Sequence, residues 1–425
     1  MIPRKLKLRF LFLFGICLAL FGFFALRRYL GLNSTNGLES SEPVILTTPE
    51  VGDVASTQPE QAVNNDDSLR EIDVQLVASN LEVPWALAFT SPTRILVTER
   101  PGRVRVIENG SLRSEPLLSI PAVSSKSEEG LMGLTLHPDY DNNKFFYVCY
   151  AYPQGKRLVD RVEQYRDDGL AAVRVATIID NIPAAQFHSG CELGFGPDGK
   201  LYISTGDATD KNLAQRLDSL AGKILRLEAD GSVPTDNPFP GSAVWSLGHR
   251  NPQGFDWLVN NGQVSLFAAE HGPSGFDGPG GGDEVNLITK GQNYGWPTVS
   301  HLKSQPGLVD PLLVFTPAVA PGSLIIYDGE TASRGPLAMP QFANNLFFAM
   351  LKGEGITRVV LDQADPSRVI EYQRLPQVAF GRIRELQIGP DGAIYFTTSN
   401  RDGRGTIRPG DDKIYKIVPK WQRSI

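Results

Sequence analysis

The chain has 425 residues, 41 of them basic and 47 acidic, giving a formal charge of −6 at neutral pH. With no sustained Lys/Arg face to neutralise phosphates, that balance excludes a nucleic-acid binder. The 42 glycines and 31 prolines follow no short period, which suits a turn-rich all-β chain better than a helical one.

The first element is the N-terminal segment. "MIPRKLKLRF" is basic, and the 17 residues from Phe10 to Leu26 are uninterrupted apolar, just enough to span a bilayer. No small-x-small cleavage site follows, so an uncleaved signal-anchor helix is expected rather than a signal peptide. The basic residues ahead of it keep the N-terminus cytoplasmic, placing the rest of the chain in the periplasm or outside, secreted if the segment is cut. Cys17 follows Ile16 rather than a small residue, which argues against lipidation. Residues 31–70 are rich in Ser, Thr, Asn, Glu, Gln and Pro and read as a flexible tether. The domain plan is therefore an anchor over 1–30, a linker over 31–70 and one large domain over 71–421.

Beyond residue 71 one unit recurs: an alternating apolar strand, a Pro/Asp/Gly turn, and a strand rich in Ile, Tyr and Val. "LGFGPDGKLYIST" (193–205) and "LQIGPDGAIYFTT" (386–398) are nearly identical, while 86–99, 134–150, 254–270 and 325–351 are looser copies. Six units over this span give about 58 residues each, the size of a four-stranded propeller blade with its loops. Two strands per unit are directly visible; runs such as "GKILRLEADG" (222–231) and "DKIYKIV" (412–418) supply outer ones. The predicted fold is all-β, a six-bladed β-propeller, with a paired sandwich or a seventh blade as the alternatives. Cys149 and Cys191 form a bridge in an oxidising compartment or stay as two buried thiols; spacing does not decide.

Within "QFHSGCELGFGPDGKLYISTGD" (186–207), centring the turn between Pro197 and Asp198 sets His188 opposite Asp207. Opposed side chains in an antiparallel pair are about 5 Å apart at Cβ, within reach of an imidazole–carboxylate hydrogen bond. The same arithmetic in the last unit pairs Gly381 with Asn400, so the blade motif itself does not require a charged pair. Unusual loops follow. "SLGHRNPQGFDW" fixes Arg250 and Asn251 beside Pro and Gly. "EHGPSGFDGPGGGDEVNL" (270–287) bares main-chain carbonyls of the kind a hard cation takes. "FGRIREL" sets Arg382 and Arg384 on one face of a strand, and Lys352 stands at another strand end. Inner-strand ends of a propeller converge on one funnel, so these groups together would suit a polyanionic ligand and a metal.

The strings "EEGLMGLTLHPDY", "AGKILRLEADGSVPTDNPF", "LGHRNPQG", "KGQNYGWP" and "GRIREL" resemble the pyrroloquinoline-quinone (PQQ)-dependent soluble glucose/aldose sugar dehydrogenases, which include sorbosone dehydrogenases. The resemblance covers about residues 75–418 and implies a six-bladed propeller oxidising the C1 hydroxyl of an aldose to a lactone, with PQQ and Ca²⁺ as cofactors. It implies that His188 is the general base, that Asp207 orients it, and that Arg250, with Asn251 beside it, faces the quinone oxygens. Lys352, Arg382 and Arg384 would hold the cofactor's carboxylates, Asn212 would touch it, and Glu128 would lie near substrate and base. The carbonyls of Gly272 and Pro273 would bind the calcium ion at the quinone; Glu284 and Tyr294 match a second, structural calcium site. The loop from Gly272 to Glu284 is several residues longer than the family's usual one. Thr316 stands where glucose-active members can carry a bulky aromatic, beside Phe315.

An aldose is the implied small-molecule partner, with an unnamed electron acceptor, no nucleic acid, and membrane contact through the N-terminal helix alone. Two other readings are weighed: a propeller serving only as a binding or adhesion module, and a propeller lactonase with a metal held by side-chain carboxylates. An intact His188–Asp207–Arg250 set argues against the first, and a cationic funnel against the second.

Overall fold

The computed structural model describes Leu69, residues 71–330 and residues 333–420. The expected anchor helix and all of the tether but Leu69 lie outside the described residues. Among those described, no helix is long and apolar enough to cross a membrane.

The six expected units are six antiparallel sheets in chain order around a ring. Each begins with an inner hairpin: Pro84–Ser91 with Arg94–Glu99, Leu131–Leu136 with Phe145–Gln154, Gly190–Phe195 with Leu201–Thr205, Pro252–Asn260 with Gln263–Glu270, Pro321–Tyr327 with Asn345–Met350, and Ile383–Ile388 with Ile394–Thr398. Apolar residues alternate along these strands, so each sheet buries side chains against the blades on both sides. Phe146, Tyr147, Phe267, Phe347, Phe348 and Phe396 are all completely buried between blades. The last blade is completed from the other end of the chain: Ile72–Ala78 pairs with Ile414–Pro419 and closes the ring. Cys149 and Cys191 are joined in a disulfide across 6.1 Å between Cα atoms, linking the second and third blades.

Every inner hairpin carries a register shift at the same place, two to three residues into its first strand. A bulge re-aims the side chains that follow it, and here it divides the axis of the ring into two chambers. Trp85, Met132, Gln253 and Arg384 face a cavity of about 950 Å³ at one end. Leu87, Leu134, Glu192, Ser323 and Glu385 face one of about 610 Å³ at the other. The inner strands touch closely there. A Cβ on Gly322 would lie 2.3 Å from the Arg384 carbonyl, and one on Gly254 would lie 2.3 Å from the Leu324 nitrogen.

The bulge also corrects the hairpin arithmetic. The turn is one residue longer than expected, so Phe195 pairs with Leu201 rather than Lys200. The shift between Gly190 and Leu193 takes that residue back, and Gly190 pairs with Thr205. His188 and Asp207 thus come opposite each other through two offsets that cancel.

Candidate active site

His188 precedes the inner strand of the third blade with φ 57°, and Cys191 at the bulge has φ 86°. Left-handed backbone at two non-glycine residues costs on the order of 1–3 kcal/mol each and persists only where the surroundings enforce it. Gly206 makes room for it, because a Cβ at that position would sit 2.0 Å from the His188 carbonyl. His188 Nδ1 lies 2.8 Å from Asp207 Oδ1. Asp207 also accepts from the Thr209 N–H (2.8 Å) and from Trp296 Nε1 (2.8 Å). On the other side of the ring, Arg250 Nη2 is 2.9 Å from Nε2. A guanidinium N–H can only donate, so the Arg250 neighbour makes Nε2 the acceptor and leaves the imidazole proton on Nδ1, facing Asp207. The main chain ties the three residues together, since Asp207 N–H donates to the Arg250 carbonyl at 2.8 Å.

The large chamber gathers most of what the sequence singled out: Glu128, His188, Arg250, Gly272, Pro273, Lys352, Arg382 and Arg384 all line it. Arg384 is buried on the bulge of the sixth blade, stacked 3.8 Å over Trp85 and donating to Gln253 Oε1 at 3.1 Å. Burial pulls its guanidinium down to about 10, and its Nε has no hydrogen-bond partner. Arg382 is paired with Asp402 at 2.7 Å and donates to the Leu351 carbonyl at 3.1 Å. Glu128 accepts from the His188 N–H at 3.3 Å and is bridged to Arg404 at 2.7 Å. Burial alone would raise the Glu128 carboxyl, but His271, Arg404 and the His188 N–H hold it below its ordinary value.

Four expected residues sit elsewhere. Asn212 is exposed on a short 3₁₀ turn, Lys211–Gln215, and its side chain bonds Asp210, the residue capping that turn, at 3.2 Å. It does not reach the chamber. Asn251 is fully buried beneath the floor, where its Oδ1 accepts from Gly190 N–H and Gln253 Nε2, both at 3.1 Å. Glu284 and Tyr294 face a separate cavity of about 10 Å³, shared with Glu270, about the volume of one water. Burial, then Glu270 beside it, pushes the Glu284 carboxyl well up, while the Tyr294 hydroxyl is committed to Leu287 and Thr289 at 2.6 and 2.8 Å. Thr316 is not a chamber residue either: its Oγ1 accepts the Gly282 N–H at 3.0 Å. Phe315 packs away on Phe348 and Tyr372.

Several residues at the site carried no signal strong enough to find. Trp296 lies in the quoted "KGQNYGWP", yet only the fold brings its indole to Asp207. Asp283 organises the carbonyl-rich corner, accepting Gly272 N–H at 2.8 Å and the N–H groups of Val319 and Ala320 at 2.7 and 2.6 Å. Arg404 adds a further cation at the rim.

The chamber residues fit the implied groups. A buried arginine with an unpartnered N–H, two more arginines and a lysine around a chamber of about 950 Å³ suit a small planar polyanion. The Gly272 and Pro273 carbonyls are hard oxygen donors of the type calcium takes. Around Glu284 only Glu270 adds a second carboxyl and the Tyr294 hydroxyl is already committed, and among the described residues no group of three or more metal-ligating side chains is found.

Residues 81–408 match the family model described as glucose/sorbosone dehydrogenase. The chain is 29% identical to the aldose sugar dehydrogenase YliI of Escherichia coli, over 78% of this chain and 91% of that one. It is 32% identical to quinoprotein glucose dehydrogenase B of Acinetobacter calcoaceticus, over 55% and 54%. Among solved structures, a Thermus thermophilus oxidoreductase (glucose dehydrogenase) superposes with a TM-score of 0.73 at 41% identity, covering 82% of this chain and all of that one. The PQQ-bound aldose sugar dehydrogenase of Streptomyces coelicolor does so with 0.70 at 31%, covering 82% and 98%.

Proposed function

The chain belongs to the glucose/sorbosone dehydrogenase family, and on that premise we propose that it is a PQQ- and Ca²⁺-dependent aldose dehydrogenase that oxidises the C1 hydroxyl to a lactone. The observation that carries this reading is the convergence of His188, backed by Asp207, with Arg250, Lys352, Arg382 and Arg384 on one chamber. Bound there, the quinone would supply a two-electron acceptor, with calcium on the Gly272 and Pro273 carbonyls making it more electrophilic. Lys352, Arg382 and Arg384 would hold the cofactor's carboxylates, and Arg250 would face the quinone oxygens. His188 Nε2 would take the proton of the C1 hydroxyl, the electron pair of the C1–H bond being the one the quinone would accept; Asp207, held by Trp296, keeps the ring in the right tautomer and balances the imidazolium. An external electron acceptor would be needed to regenerate the cofactor. A lactonase-type metal held by side-chain carboxylates suits a chamber lined by five cations far less well. We place the domain outside the cytoplasm, where the disulfide persists, held to the membrane by the N-terminal segment.

The test is reconstitution of the cofactor-free full chain. Dye reduction with aldoses is expected only after both PQQ and Ca²⁺ are added, and His188→Ala should abolish turnover while quinone uptake survives. Inactivity across a broad panel of sugars and alcohols, with no quinone uptake, would favour a binding module instead.

A further inference from the structure

The long loop after Pro273 does not hang free. Arg250 has five N–H groups, and the protein itself engages four of them. Nε donates to Asp277 Oδ2 at 2.7 Å, Nη1 to the His271 carbonyl at 3.2 Å, and Nη2 to Ser274 Oγ and His188 Nε2, both at 2.9 Å. Asp277 also accepts the Ser274 N–H at 2.9 Å. The Arg250 and Asp277 side chains are only 3% and 11% exposed, so this ion pair is shielded from water. Next to it, the Phe276 ring lies nearly parallel to the His188 imidazole, centroids 6.0 Å apart, yet it is 71% exposed.

The loop is hinged. Its stem closes through Gly281 N–H to the Pro273 carbonyl at 3.1 Å. Gly275 has φ 93° with nothing near its Cβ position, and Gly280 is nearly as open. A buried guanidinium needs a counter-ion, and Asp277 supplies it from inside the chain. The oxygens of an incoming ligand can accept the same N–H groups, while its carboxylates bring the compensating negative charge into the chamber. Meanwhile the lone pair of the base is engaged by Arg250, and one side of its ring is covered by an aromatic.

We propose that Ser274–Gly280 is an internal occupant of the site, with Asp277 holding Arg250 in place of a ligand's oxygens and Phe276 covering His188. A planar polyanion enters by displacing both. This rests on the functional reading above, in which Arg250 faces the quinone oxygens. Apparent affinity is then reduced by the fraction of molecules with the loop closed.

The test uses the full chain without cofactor, and compares it with Asp277→Asn, which keeps the shape and removes the charge, and with Ser274→Ala. Hydrogen exchange of amides 274–281 reads the latch without any ligand, and stopped-flow fluorescence reads uptake of PQQ in Ca²⁺. Asp277→Asn should speed exchange of these amides about tenfold, and speed uptake and tighten binding by about tenfold. Ser274→Ala should move all three in the same direction by less, and carries the test if the first variant misfolds. Unchanged exchange, or slower and weaker uptake, would overturn the proposal, the latter by making Asp277 part of the occupied site. Faster exchange with no quinone uptake by any of the chains would uphold the latch and remove the cofactor reading.

Discussion

Glu192, Glu385 and Asp256 line the second chamber, on the far side of the bulges from the arginines. Burial pushes the Glu192 carboxyl up to about 8 and Asp256 up to about 7. Glu385 is also raised, by burial and then by Glu192. The folded protein therefore keeps protons that the unfolded chain, with ordinary carboxyls, has released. That stabilisation is complete below the ordinary carboxyl range and is lost as pH rises toward about 8. Melting temperature should fall between pH 5 and pH 8, and Glu192→Gln should flatten much of that fall; a flat profile in the parent chain would contradict it. At this scale the sequence was uneven. His188 and Asp207 were legible as a pair because the longer turn and the bulge offset each other, which left the simple cross-strand numbering correct at that one place. Trp296, Asp277 and Asp283 were not, because each reaches the site over loops whose path no local pattern dictates. Asn212 was misplaced for a related reason: a neighbouring Asp draws a short polar side chain back onto its own turn.

Along the inner strands, the repeated bulge is the element that makes a site out of a ring. It turns Arg384 toward one chamber and Glu385, the next residue, toward the other. The six hairpins were readable from alternation and turn residues, but the bulge was not, since it falls so close to the start of each strand that too few residues precede it to show the alternation breaking. The two offsets cancel at His188–Asp207, so the pairing read from the sequence gave no sign of it. The disulfide belongs to this scale too, because spacing left it open and blade adjacency closes it. Its 42-residue separation gives a bond worth about 2–4 kcal/mol. Thiol trapping in intact cells should find Cys149 and Cys191 unreactive, and replacing both by Ser should lower the melting temperature by several degrees. Free thiols in freshly trapped cells would contradict the placement outside the cytoplasm.

For the molecule as a whole, six-fold repetition was visible in the sequence, whereas closure was not: nothing in "IDVQLVA" says that it completes the blade begun some 300 residues later. Closure matters to function because it fixes the last blade, which carries Arg382 and Arg384, against the first, which carries Trp85. Cations distant along the chain are thereby held at fixed separations around one chamber before any ligand arrives, which is what preorganised binding requires. The most direct measurement is an equilibrium absorbance titration of the cofactor-free full chain with PQQ in Ca²⁺, repeated for Arg384→Gln. Saturable uptake that weakens about a hundredfold in the variant, roughly 2.7 kcal/mol, and declines with added salt is the predicted result. Unsaturable uptake, or equal affinity in the two chains, would contradict the account.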